Sequence, residues 1–351
     1  MKKTLLYLFL CVCSSAFSQQ LQSDNYNGLT IGNVGTVFTG ATVGQGGWYT
    51  ESSNGATPTT STNAGNSNFQ IVSSGNSSNG LQIQGPNGDK GSRFVWKAGL
   101  TDLWTARASG NNIIEIEVDI NPGAGTTTSE NTFGIYLYNS GYSRTLAAFE
   151  VKAKTRELFL VAYSTPAGQT VGNYIYPLAA APGIQLPSNT FSRIGISYNK
   201  TTGVVRIKGP GLPVAGLTLN GSSSGIDPFE INIVSLSGHT TAAPNSSSAT
   251  MIFDNFISRA SSTDTLLSID SNVITNNTFT VYPNPTSSIL NISNLYNVEI
   301  KNISVVDING RIVKSQSDSL SQINVSDLNV GVYFVNIEAA EGKTTKKFIK
   351  Q

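Results

Sequence analysis

An all-β fold is what this sequence predicts, and three observations carry the prediction. Charged residues make up only 12% of its 351 positions, leaving little material for exposed, ion-paired helices. Gly is frequent at 34 residues, and with Ser, Thr and Asn it recurs between apolar segments, where turns need positive φ or side-chain-to-backbone hydrogen bonds. The strongest observation is a period of two: Ile114, Ile116, Val118 and Ile120 alternate with Glu115, Glu117 and Asp119, the pattern of a strand with one buried face.

The chain opens like a secretory signal. Lys2 and Lys3 precede a short apolar run at residues 5–12, and Ala16-Phe17-Ser18 offers small residues at −3 and −1, so cleavage is expected to leave Gln19 first. No later apolar run reaches the ~20 residues that a spanning helix needs, so no transmembrane anchor is expected. Cys11 and Cys13 are the only cysteines. Both fall within residues 1–18, which removes disulfides and thiolate chemistry from the mature protein. A formal charge of +1 without a basic stripe argues against nucleic acid as a partner.

Residues 19–261 then alternate strands with turns. Phe133, Ile135 and Leu137 alternate with Gly134, Tyr136 and Tyr138. Residues 149–153 and 158–162 flank the polar turn Lys154-Thr155-Arg156. A second hairpin turns through Asn199-Lys200-Thr201-Thr202-Gly203, with Gly203 where a left-handed residue closes a longer loop. Strands are also expected at residues 229–236 and 250–257. So many short strands in one unit suggest two packed antiparallel sheets. The paired central hairpins, the strand at residues 192–198 and the closing Phe253-Asp254-Asn255-Phe256 resemble the concanavalin A-like lectin and glucanase jelly roll. That resemblance implies a β-sandwich passenger and is nearly silent on activity.

Residues 262–277 lose aromatics and read as a linker. From 278 to 351 the chain carries Tyr282-Pro283-Asn284-Pro285, then residues 305–313 with Asn309-Gly310 as a two-residue hairpin signal. Gly331-Val332-Tyr333 and Lys346-Lys347 follow at the extreme end. In this order these motifs resemble the type A C-terminal sorting domain of type IX secretion cargo. The two prolines suit a turn or an edge, and the short strands suit a small immunoglobulin-like sandwich. The resemblance implies recognition by the type IX translocon and removal by a sorting protease. The passenger would then be released or linked to lipopolysaccharide, secreted or on the cell surface.

Several constellations bear on passenger chemistry. Glu115, Glu117 and Asp119 share one strand face, and the laminarinase-like enzymes of this fold use a Glu, Asp, Glu strand in retaining hydrolysis. The order here is Glu, Glu, Asp, and the tryptophan-rich flanks are missing. His239 is the only histidine, so a His/Cys zinc site is excluded, and no nucleophile elbow accompanies it. Aromatics offer sugar-stacking platforms: Trp48, Tyr49, Trp104, Tyr136 and Tyr138, with Trp96 assigned to the core beside Phe94. Asp24 and Asp254, with Asn255, are the oxygen ligands that a structural Ca2+ would use. Asp264-Thr265-Leu266 and Asp318-Ser319-Leu320 resemble short bacterial O-glycosylation sites. The leading expectation is a non-catalytic carbohydrate-binding or adhesion module. A hydrolase or lyase, or a structural module without a sugar site, are the alternatives.

Overall fold

The structure is a computed structural model that describes residues 18–56, 63–76, 78–125, 128–238, 244–267, 279–294, 300–318, 320–339 and 342–351. The signal segment through residue 17, His239, Ser319 and residues 268–278 lie outside these. Two compact units divide at Leu267/Ser268.

The first unit runs β1 (Gln19–Asp24), β2 (Gly32–Asn33), β3 (Trp48–Ser53), β4 (Phe69–Val72), β5 (Gly80–Gln84), β6 (Ser92–Lys97), α1 (Leu100–Thr105), β7 (Ile113–Asn121), β8 (Thr132–Tyr138) and β9 (Thr145–Lys152). It continues through β10 (Glu157–Ser164), β11 (Gly172–Pro177), β12 (Ile184–Gln185), β13 (Ser192–Asn199), β14 (Val204–Lys208), β15 (Leu217–Asn220), β16 (Glu230–Leu236) and β17 (Thr250–Ser261). One sheet has the order β15-β14-β13-β7-β17-β5-β4-β2, with β1 on β17; the other is β11-β10-β9-β8-β16-β6-β3, with β12 on β10. Neighbours pair antiparallel, which makes an antiparallel jelly-roll-type sandwich. Ile114, Ile116, Val118 and Ile120 of β7 point between the sheets and meet Phe133, Ile135 and Leu137 of β8 in one core, as the alternation requires. Gly203 closes its hairpin at φ 78°, in the left-handed region that costs glycine least.

The passenger does not end at residue 261. Residues 264–267, expected in the linker, fold as a strap on the outer face of the nine-stranded sheet. Leu266 is fully buried. Its seat is Gly195 on β13, where an added Cβ would stand 2.7 Å from Leu266 Cδ1 and 3.0 Å from Leu267 Cγ. The polar composition of the segment hid this, because the docking rests on one leucine and a missing side chain elsewhere in the chain.

The second unit holds β18 (Phe279–Tyr282), β19 (Ile289–Asn294), β20 (Ile300–Val306), β21 (Ile312–Gln316), β22 (Gln322–Asn324), β23 (Gly331–Ala339) and β24 (Gly342–Lys350). They form a three-stranded sheet, β18-β19-β22, and a four-stranded sheet, β21-β20-β23-β24, around a core that includes Phe279, Leu290, Ile303, Val335, Ile337 and Phe348. The Asn309-Gly310 turn is longer than the expected two residues. Asp307 N–H donates to Arg311 O at 3.0 Å, and the Asp307 carboxylate accepts from the amides of Asn309 at 2.9 Å and Arg311 at 3.0 Å. The aspartate thus closes a three-residue loop, with Gly310 at φ 77° and a register shift at Val305/Val306, the bulged form of such hairpins.

Candidate functional site

The outer face of the eight-stranded sheet concentrates aromatic and acidic side chains. Register sets Tyr49 of β3 opposite Trp96 of β6, Trp96 opposite Asn232 of β16, and Asn232 opposite Tyr136 of β8. One cross-strand row therefore carries Tyr49, Trp96, Asn232 and Tyr136. At about 4.8 Å per strand it spans roughly 14 Å. Tyr49 and Trp96 stack with centroids 5.5 Å apart and planes at 15°. Beside the row, Tyr136 stacks on Tyr138 at 5.6 Å, Tyr138 meets the edge of Tyr142 at 5.6 Å, and Tyr142 meets Phe229 at 5.7 Å. Tyr142 sits at φ 56° in the β8–β9 turn and is 52% exposed. Tyr49, Phe94, Trp96 and Tyr138 are half-buried, and Phe94 and Tyr138 pack against a small buried cluster of Tyr136, Ala148, Val161 and Val234.

Polar groups are threaded among the rings. The Tyr142 hydroxyl donates to Glu230 Oε1 at 3.0 Å, and the Asn232 amide donates to the same oxygen at 2.8 Å. Burial raises the Glu230 carboxyl above its usual range, and these two hydrogen bonds only partly offset it. Burial, with Glu230 and Glu51 nearby, pushes the Tyr142 hydroxyl up to about 12. Tyr136 donates its hydroxyl to the buried carboxylate of Glu150.

Among the predicted stacking residues, Tyr49, Tyr136 and Tyr138 stand on this face, but Tyr136 is only 6% exposed beneath its neighbours. Trp48 and Trp104 are corrections, at 2% and 1% exposed. Trp48 packs against Tyr26 and Phe256 and donates its indole N–H to Asp24 at 2.8 Å. Trp104, on α1, donates to Asp227 at 2.7 Å beneath the Arg107 guanidinium. Trp96 is corrected in the opposite sense, from core to surface. The reason lies one residue away. Arg93 faces inward with Val95 at 1% exposure, donating to the carbonyls of Gln84 (3.2 Å), Ser53 (2.6 Å), Ser92 (2.9 Å) and Asn63 (2.5 Å). Burial lowers its guanidinium to about 10. An arginine satisfied by carbonyls thus reverses the parity that hydrophobicity alone assigns to β6.

The acidic strand face is sequestered. Glu115 accepts the amide and hydroxyl of Thr265, and burial outweighs these bonds to raise its carboxyl. Glu117 meets Arg193 at 3.1 Å, Arg259 at 3.0 Å and the amide of Leu267 at 3.1 Å. Burial opposes its ionisation, and the two guanidiniums with that amide more than reverse the effect, so its carboxyl lies below its ordinary value. Asp119 accepts from Asn76 at 2.9 Å, Asn255 at 2.7 Å and Arg193 at 3.3 Å. These acids organise the strap and the sheet. Thr265, in the glycosylation-like tripeptide, is occupied by Glu115; the second tripeptide contains Ser319, outside the described residues.

Asp24 and Asp254, the expected cation ligands, are each engaged by protein donors. The ammonium of Lys97 lies 2.8 Å from Asp24 Oδ2, and Tyr26 N–H holds Oδ1 at 2.8 Å. Asp254 accepts from the amides of Asn76 at 2.7 Å and Asn255 at 2.6 Å. Among the described residues no cluster of three or more His, Cys, Asp or Glu is placed to hold a metal.

In the second unit the expected motifs converge on the last strand. The Asn284 side chain donates to Lys347 O at 3.1 Å and accepts from Ile349 N–H at 3.0 Å. Thr286 N–H donates to Ile349 O, and Gln351 N–H to Thr286 O, both at 2.9 Å. Tyr282-Pro283-Asn284-Pro285 therefore clamps the edge of β24, the strand that carries Lys346 and Lys347. Tyr333 stacks on Phe348 of the same strand at 5.7 Å, and Gly331 begins β23 opposite Lys350. Residues 280–351 match the family described as the secretion system C-terminal sorting domain. The chain is type IX secretion cargo. Its C-terminal unit is the sorting domain, its partner is the type IX secretion machinery, and its destination is the cell surface or the extracellular space. Among the described residues no helix is long and apolar enough to cross a membrane.

No curated protein sequence matches the chain. The structure is similar to an alginate lyase from a Chlorella virus, at 10% identity and a TM-score of 0.40, covering 66% of this chain and 99% of that one. It is also similar to a marine alginate lyase from Aplysia kurodai, at 11% identity and a TM-score of 0.39, covering 56% and 88%. A third likeness is to the binding domain of botulinum neurotoxin serotype C1, at 12% identity and a TM-score of 0.40, covering 93% and 73%. Likenesses this remote assign no activity.

Proposed function

We propose that the passenger of this cargo protein binds glycan on the outer face of its eight-stranded sheet, without transforming it. The observation that carries this is the set of partly exposed residues there: Tyr49, Trp96, Tyr138 and Tyr142, with the half-buried Glu230 among them as a hydroxyl partner. Sugar rings offer apolar C–H faces to aromatic platforms, and carboxylates and amides take their hydroxyls. The exported destination makes extracellular polysaccharide an available ligand. A glycan array followed by titration calorimetry on the whole chain tests the reading. Trp96→Ala should weaken binding about tenfold, the equivalent of ~1.4 kcal/mol for one platform. Undiminished binding by a folded Trp96→Ala variant would place the ligand elsewhere.

One observation favours a second reading, polysaccharide hydrolysis. The raised Glu230 carboxyl has the character of a general acid, and the exposed Glu51 is a second carboxylate on the same face. Reducing-sugar release that Glu230→Gln abolishes would select this reading.

A further inference from the structure

Building on the glycan-binding reading, we infer that this face selects neutral polysaccharides and rejects polyanionic ones such as polyuronates. The charges among the aromatic residues are of one sign. Glu51 on β3 stands opposite Phe94, Glu150 on β9 opposite Gly134, and Glu230 on β16 opposite Tyr138, so carboxylates are distributed along the face rather than gathered at one edge. Glu51 is exposed, and both it and Glu230 act on the Tyr142 hydroxyl at the exposed end of the stack.

Three cations that border the face are each engaged by protein partners. Lys152 Nζ lies 2.7 Å from Glu130 Oε2, and Lys154 pairs with Glu130 Oε1 at 2.5 Å. The Arg144 guanidinium covers the Tyr163 ring at 4.7 Å and donates to the carbonyl of Ser222 at 3.3 Å. A polyuronate or sulfated chain laid along Tyr49, Trp96 and Tyr138 would bring a carboxylate or sulfate on nearly every sugar against Glu51 and Glu230. No arginine or lysine of the row would pair with it, and like charges brought together at an interface discriminate strongly against a ligand. A neutral chain meets the same carboxylates as hydroxyl acceptors, which are hydrogen bonds of the stronger, charge-assisted kind.

The experiment is a binding panel on the whole chain, with soluble β-glucan, xylan and mannan as neutral probes and alginate and polygalacturonate as anionic ones, at low and high salt. The expected result is saturable binding of at least one neutral probe, little changed by salt, with both polyuronates weaker by about tenfold or more at low salt. Glu51→Gln should narrow that gap by strengthening polyuronate binding. Polyuronate binding equal to or tighter than neutral binding, weakening as salt rises, would overturn the selectivity while leaving glycan binding intact. An absence of binding to every probe by a folded chain would overturn the glycan reading itself, and the selectivity with it.

Discussion

The strap at residues 264–267 supports a quantitative prediction for Leu266→Ala. The side chain is fully buried against the glycine gap of β13, and the substitution removes three carbons from that contact. At ~0.8 kcal/mol per buried methylene the transfer loss is about 2.4 kcal/mol. A rigid core would add a cavity cost, but the strap lies on a sheet surface and can settle, so we expect a total of about 2–3 kcal/mol. Urea unfolding followed by tryptophan fluorescence measures it cleanly, because Trp48, Trp96 and Trp104 are the only tryptophans and all lie in the passenger. Gly195→Ala should be costly for the same reason, since its new Cβ would stand 2.7 Å from Leu266 Cδ1. The double variant should lose less than the sum, because alanine at 266 vacates the space that the new methyl needs. A Leu266→Ala effect below about 0.5 kcal/mol, the range of ordinary surface substitutions, or strict additivity with Gly195→Ala, would refute the docking argument.

Other perturbations have equally definite outcomes. The mature passenger should retain its strap, so mass spectrometry of the secreted form should find a C-terminus downstream of Leu267; a terminus at or before residue 263 would refute this. Arg93→Met should cost about 3 kcal/mol in the same unfolding assay, since it orphans several buried carbonyls at once. The Glu117 carboxyl lies lower in the folded than in the unfolded chain. Its contribution is therefore full above the ordinary carboxylate value and lost as pH falls through the folded one. The raised Glu115 carboxyl acts oppositely, favouring the folded state as pH falls, and Glu117→Gln should flatten the acid limb of a stability–pH profile. Deleting residues 279–351 should leave the passenger in the periplasm, and surface display of the truncated chain, read by external protease, would contradict its dependence on the sorting domain.

The sequence made the strands legible because the buried face of β7 and β8 is written in strict alternation, and it made the sorting motifs legible because they are local and ordered. It placed Tyr136 and Tyr138 on the face opposite Ile135 and Leu137 for the same reason. What it concealed depends on distant partners. The identity of the surface tryptophan turned on whether Arg93 could be buried, and that was decided largely by carbonyls at residues 53 and 63, far from it along the chain. Trp48 is inward because the Asp24 carboxylate waits for its indole, a pairing that no spacing announces. The strap escaped notice because its receptor is an absence, the missing side chain of Gly195.

That same strap gives the passenger a front and a back. The aromatic face belongs to the eight-stranded sheet, whereas the chain leaves the domain across the outside of the nine-stranded sheet, with the whole thickness of the sandwich between them. Force applied at Leu267 would therefore reach the domain on the side away from the rings. Such a load would bear first on the strap's seat at Gly195 and its bonds to Glu115 and Glu117, so a hard pull would begin at the back of the domain, a full sandwich thickness from the aromatic face.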